Sequence, residues 1–187
     1  MKLGRALREI ECEGKPEYID VYSMEKNNDI LKCLTEENGI RFHGGISAER
    51  VLEVMGKSMA VIHTESFDES TKKTVSYSVS TKVADSLASG TCILAYGPSD
   101  VASIEYLKNH KAAYCITDDV QLLDGLKKLI ESPDQREKII ANAYELAKKN
   151  HNQNEKIYTR FMRNIMRAMY NHSTKQANRR IYEPYTN

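Results

Sequence analysis

Short apolar stretches alternate with segments of helical periodicity along this chain. Residues 18–23 (YIDVYS) alternate as a half-buried strand does, and residues 40–43 (IRFH) read as a second strand closed by Gly44 and Gly45. Residues 60–64 (AVIHT), 91–95 (TCILA) and 113–116 (AYCI) predict three more strands. A helix-length segment fills each gap between them. That rhythm belongs to βαβ units, so the fold class is α/β, with a Rossmann-like parallel sheet flanked by helices.

The helices carry start and stop signals of their own. Ser47 is placed to cap a helix with Val51, Leu52 and Met55 on one face, and Ser80 to cap one with Val83, Ala84, Leu87 and Ala88, stopped by Gly90. Ser132-Pro133-Asp134-Gln135 is a capping box with proline at the first helical position, and the helix it starts runs to about Lys149. A further helical pattern covers 154–170, and 171–187 read as a frayed tail. Residues 3–13 (LGRALREIECE) read as a helix, whereas a parallel sheet usually opens with a strand. The expectation is that the first strand is missing and that the chain is cut from a longer one. The predicted organisation is one domain over 1–150, a C-terminal amphipathic helix over 151–170 and a tail over 171–187.

Composition narrows the function classes. With 187 residues, the chain is long enough to bury a core without staples. Lys and Arg total 27 against 26 Asp and Glu, so the net charge of +1 gives no case for a nucleic-acid partner. No apolar run reaches the ~20 residues of a membrane span, and no signal peptide is visible, so a cytoplasmic location is expected. Cys12, Cys33, Cys92 and Cys115 make no CxxC pair or zinc-ligand spacing; they read as small core residues in a reducing compartment. No metal site is apparent, and no cofactor is expected.

Candidate chemistry concentrates after the third strand, because open α/β sheets bind ligands at the carboxyl ends of their strands. His63 and Thr64 end that strand. A long, hydroxyl-rich loop follows, containing Glu65 and Glu69, and it reaches a predicted helix start at Ser78, Val79, Ser80, Thr81 and Lys82. Free N–H groups at such a start suit a phosphate or diphosphate, although Ser80 as a simple cap accounts for the same residues equally well. Asp85 lies one turn on, where a carboxylate could accept the hydroxyls of a ribose; a surface aspartate favoured by the helix dipole is the blander reading. For His63 and for His43, a hydrogen-bonded structural histidine is favoured over one facing a ligand.

The stretch 78–95 (SVSTKVADSLASGTCILA) resembles the S-x-S-x-K-x-x-E-x-L-A-S-G-x-P-I-L-A signature of bacterial family-4 glycosyltransferases with the GT-B fold. Phe42-His43-Gly44-Gly45, Val61-Ile62-His63-Thr64, and Tyr96-Gly97-Pro98 followed by 102–107 (ASIEYL) are similar to further family segments in the same order, so the likeness spans roughly residues 3–150. The resemblance implies the C-terminal, donor-binding half of such an enzyme. It also implies a nucleotide-sugar donor (UDP or GDP), retaining hexosyl transfer, and a role in cell-surface polysaccharide synthesis. The acceptor would sit on an N-terminal domain missing from this chain, so the piece alone is expected to be inactive.

By the same resemblance, Ser78, Val79, Ser80, Thr81 and Lys82 would hold the donor diphosphate and Asp85 the ribose. Gly44 and Gly45 would admit the donor closely, and residues 19–23 and 38–41 would lie near the base. The pattern departs from the family at several points. Asp85 stands for the usual Glu, Tyr77 stands where the first Glu of E-x7-E belongs, and the loop from Thr64 is longer than the family's E-G-F-G loop. Glu65 and Glu69 are both candidates for the missing catalytic carboxylate.

The C-terminal helix sets Lys156, Arg160, Arg163 and Arg167 on one side and Ile157, Phe161, Met162, Ile165, Met166 and Met169 on the other. A packing face is the favoured reading; peripheral contact with the inner face of a membrane and a homodimer through this helix are the other uses. Two other functions stay open. One is a non-catalytic interaction module with a decayed nucleotide site; the other is half of a GT-B sugar-nucleotide epimerase. A dinucleotide-binding enzyme is disfavoured, since neither visible turn carries G-x-G-x-x-G.

Overall fold

The computed structural model describes residues 2–12, 14–68 and 81–150. Glu69, Tyr77, Ser78, Val79 and Ser80, and the C-terminal helix and tail, lie outside the described residues.

Helix α1 (Lys2–Arg8) is shorter than the pattern over 3–13 predicts. The backbone turns out of the helix at Ile10, and β1 (Glu11–Cys12) pairs antiparallel with β2 (Lys15–Pro16). Gly14 takes the left-handed conformation that reverses the chain, φ 75°, and Pro16 has no N–H with which to continue a helix. Local turn chemistry overrides the helical period here.

All five predicted strands form, as β3 (Ile19–Val21), β4 (Ile40–Phe42), β5 (Ala60–Thr64), β6 (Cys92–Tyr96) and β7 (Tyr114–Ile116). They run parallel, but not as the single sheet expected. Among the described residues β3 pairs only with β4, while β5, β6 and β7 make a separate three-stranded sheet in that order. Side chains join the two pieces instead of hydrogen bonds: Ile19 of β3 and Ala60 of β5 pack against the same apolar cluster.

Strand β6 is buried along its whole length, and its pleat sorts the core into two layers. Ile93 and Ala95 face a cluster built by Val83 and Leu87 of α4 (Thr81–Leu87), Ile104 and Leu107 of α5 (Ala102–Asn109), and Ala143, Leu146 and Ala147 of the last described helix (Pro133–Asn150). Cys92, Leu94 and Tyr96 face the other cluster, with Leu3, Ile116, and Leu122, Leu126 and Leu129 of α6 (Leu122–Glu131). The helix Pro133–Asn150 is therefore α7. It starts at the proline of the predicted capping box, and its Arg136 guanidinium donates to the Leu129 and Ile130 carbonyls at 2.5 and 2.6 Å, closing the end of α6.

Two helices complete the described set: α2 (Asn28–Leu31), capped by Asn27, and α3 (Ala48–Lys57), whose predicted cap Ser47 accepts from the Arg50 N–H at 3.4 Å. Neither buries a residue. No disulfide joins the four cysteines, but the expectation that all four are core residues fails. Cys92 is buried, and burial pushes its thiol up to about 12. Cys33 is exposed because it follows α2, which lies off the core. No helix among the described residues is long and apolar enough to cross a membrane.

Candidate functional site

The carboxyl ends of β5 and β6 bring together a carboxylate, an imidazole and a hydroxyl. His63, next to last in β5, points inward and keeps 9% of its surface exposed. Glu65 follows the strand and extends its ladder by one bond, its N–H donating to the Tyr96 carbonyl at 2.9 Å. Its side chain turns back into the fold. There, Glu65 Oε1 accepts from Ser103 Oγ at 2.6 Å and lies 3.2 Å from His63 Nε2. Ser103 sits in the first turn of α5 and is wholly buried. Gly97 makes room for this arrangement: a Cβ on Gly97 would stand 2.8 Å from Glu65 Cβ and 3.1 Å from its carbonyl oxygen.

His63 departs from the satisfied structural histidine that its sequence position suggests. Its Nε2 is buried without a hydrogen-bond partner among the described residues, since the approach to Glu65 is close but misaligned. Burial holds the imidazole below its ordinary value; Glu65 pulls the other way, and the Lys82 charge adds to the lowering. His63 is therefore neutral in the fold where an unfolded chain would already be taking up a proton. That sign means stability is kept above the unfolded histidine value near pH ~6.5 and lost as pH falls through the folded one. Denaturation midpoints should drop more steeply on acidification in the wild type than in His63→Gln; equal slopes would show that other groups govern the acid limb.

Lys82 and Asp85 are exposed on the outer side of α4, three residues apart and hence neighbours along the helix surface. Val83 and Leu87, on the opposite side, are buried and fix the helix against β6. Of the residues singled out in the sequence, the structure brings His63 and Glu65 together, while Lys82 and Asp85 are exposed on α4. Thr64 ends β5 with an exposed side chain.

A second polar group lies at the ends of β3 and β4. His43 Nε2 is 2.6 Å from Asp20 Oδ1, and the His43 ring stacks on Tyr22 at 4.7 Å. His43 is thus the hydrogen-bonded histidine expected. Gly44 adopts φ 73° with open space where a Cβ would stand. At Gly45 a Cβ would stand 2.5 Å from Met24 Cγ, so the Met24 side chain lies over this glycine.

Sequence reasoning missed Ser103 and Gly97 as partners of Glu65. Ser103 is 38 residues away in sequence; the signal at hand was that Gly97 and Ser103 both lie in the family-like segments 96–98 and 102–107, which nothing in the sequence tied to Glu65. A shallow cleft lined by His110, Asn142, Glu145 and Lys149, between the end of α5 and α7, contains none of these residues.

Parallel strands between helices make this an α/β domain, and its polar side chains collect at the strand ends where such sheets bind ligands. The chain belongs to the glycosyl transferase-like family, whose model matches residues 10–163. Among solved structures it is similar to that of WaaG, a glycosyltransferase involved in lipopolysaccharide biosynthesis, with a TM-score of 0.57 and 15% identity over 80% of this chain. At that identity the likeness is one of fold. The chain spans 39% of the length of WaaG. Among curated proteins nothing matches it.

Proposed function

We propose that this chain is the donor-binding half of a family-4-like, GT-B glycosyltransferase. It would hold a UDP- or GDP-sugar for transfer of a hexosyl group, with retention, to a glycan or lipid-linked acceptor in cell-surface polysaccharide synthesis. The observation that carries the reading is the meeting of Glu65 and His63 at the β5 end, in a chain of the glycosyl transferase-like family.

In such a transfer the bond between the sugar and the diphosphate breaks, and the departing oxygen gains negative charge. A fixed cation placed there stabilises the transition state more than the ground state. Lys82, at the start of α4, is assigned that role. Asp85, one turn further along α4, is assigned the ribose hydroxyls. Glu65 is assigned the sugar side of the site, since its Oε1 is already engaged by Ser103. The acceptor and its activation belong to the N-terminal domain, so this half binds without turnover, on the cytoplasmic side.

A thermal-shift panel of UDP, GDP, ADP and their sugar conjugates tests the reading on the wild type and on Asp85→Ala. One nucleoside diphosphate should raise the midpoint according to RT ln(1 + [L]/Kd), and Asp85→Ala should shrink that rise. A flat wild-type panel would overturn donor binding by this chain and favour the non-catalytic interaction module.

A further inference from the structure

Tyr96 ends β6, and its side chain is buried and anchored at the tip. The hydroxyl donates to Oδ1 of Asp119, the first residue of the 3-10 turn (Asp119–Gln121) that follows β7. The other oxygen of that carboxylate takes the ammonium of Lys2, the first residue of α1. Burial and the Asp119 carboxylate push the Tyr96 phenol well above its ordinary range, so it stays a donor. Lys2 and Tyr96 hold the Asp119 carboxyl below its ordinary value, so it stays an acceptor. A phenol donating to a carboxylate makes a charge-assisted bond, stronger than one between neutral groups.

The ring so anchored carries Phe67. Past Glu65 the chain leaves the sheet, and the Phe67 ring lies 5.1 Å from that of Tyr96, tilted by 55°. Aromatic rings at that spacing and tilt attract each other beyond the area they bury. Ser66 Oγ accepts from the Asp68 N–H at 3.1 Å and bends the same segment. From this geometry we propose that Tyr96 is a positioning residue: anchored on Asp119, its ring holds Phe67 and so sets the path on which the chain leaves β5 for the nucleotide-binding residues of α4. Tyr96 acts through Phe67, and Asp119 and Lys2 act one step further out, by fixing where the phenol points. Three segments far apart in sequence thus secure one loop. The inference rests on the assignment of Lys82 and Asp85 to the donor.

Two measurements on the full 187-residue chain test it. The first needs no ligand. The chain has three phenylalanines, so the ring signals of Phe67 can be followed by NMR with labelled phenylalanine and assigned with Phe67→Leu. In the wild type those signals should be displaced by the ring current of Tyr96, and Tyr96→Leu should abolish the displacement. Asp119→Ala leaves both rings in place and should reduce it, because the phenol is no longer held. Asp119 is half-buried, in a turn outside both core clusters, so this variant should keep the fold. Phe67 signals identical in wild type and Asp119→Ala overturn the anchoring whether or not any nucleotide binds.

The second measurement is a double-mutant cycle on the affinity for UDP or GDP, read by calorimetry. Tyr96→Phe keeps the ring and removes only the hydroxyl; it should weaken binding about fivefold, the scale of one aromatic contact. Phe67→Leu should weaken it at least as much. The double variant should lose no more than Phe67→Leu alone, because the hydroxyl works only through that ring, whereas losses at independent sites add. Additive losses, or full affinity in Tyr96→Phe, would overturn the positioning role. A wild type that binds neither UDP nor GDP counts against the donor reading on which the inference rests, while the Phe67 signals decide the anchoring by themselves.

Discussion

Gly39→Ala is expected to destabilise the fold by roughly 2–5 kcal/mol, combining the left-handed backbone penalty of a residue with a Cβ and the overpacking of a filled contact. Gly39 ends a 3-10 turn (Glu36–Asn38) at φ 73°, and a Cβ there would stand 1.8 Å from the Gly4 carbonyl oxygen. Gly4 is the matching half: its own Cβ would meet the Asn38 carbonyl at 2.3 Å. Two glycines back to back therefore let α1 lie directly on the turn that leads into β4. The Gly39 carbonyl also accepts from the Ile19 N–H at 2.9 Å, the bond that starts the β3–β4 pairing. Urea denaturation measures the loss. A change under ~0.5 kcal/mol, the size of an ordinary surface substitution, would mean that α1 does not pack on this turn in solution.

Leu87→Ala is expected to cost about 2–5 kcal/mol, the range for truncating a fully buried leucine. Leu87 has no exposed surface and lies among Ile93, Ile104 and Leu107, so the vacated space borders three helices and β6. The effect extends to function. Leu87 and Val83 are the inner anchors of α4, whose outer side holds Lys82 and Asp85. A variant that still folds should therefore lose nucleotide-dependent thermal protection along with stability. Full retention of that protection in a destabilised Leu87→Ala would show that the nucleotide does not depend on α4.

Much of the architecture was legible in the chain because it follows from local periodicity. Residues 60–64 are a short apolar run between helical stretches, and they form β5 with those bounds. The Ser132-Pro133 start is equally local: proline fixes its own φ and needs no N–H at the first helical position. Where the reading failed, a neighbour in sequence or in space overruled the period. Gly14 and Pro16 turned the second half of a predicted helix into a hairpin. Cys33 looked apolar by context, yet α2 beside it buries nothing. The predicted single sheet divides between β3 and β5, because strand pairing is decided by hydrogen bonds between distant residues that no local pattern encodes.

The candidate site divides in the same way. The motif around 78–95 and the strand ends at His63 and Thr64 were readable, since residue types and spacings in one stretch carry them. The sequence left Glu65 and Glu69 as equal candidates, and Glu69 lies outside the described residues. Only tertiary structure could show that Glu65 is gripped by Ser103, given room by Gly97 and shadowed by His63, because those partners arrive from β6 and α5 across the core. The sequence by itself determined the α/β class, the five strands and the family likeness, all consequences of short-range pattern. Tertiary structure decided which strands pair, which cysteine is buried and how Glu65 is oriented, because each depends on groups far apart in the chain meeting in space.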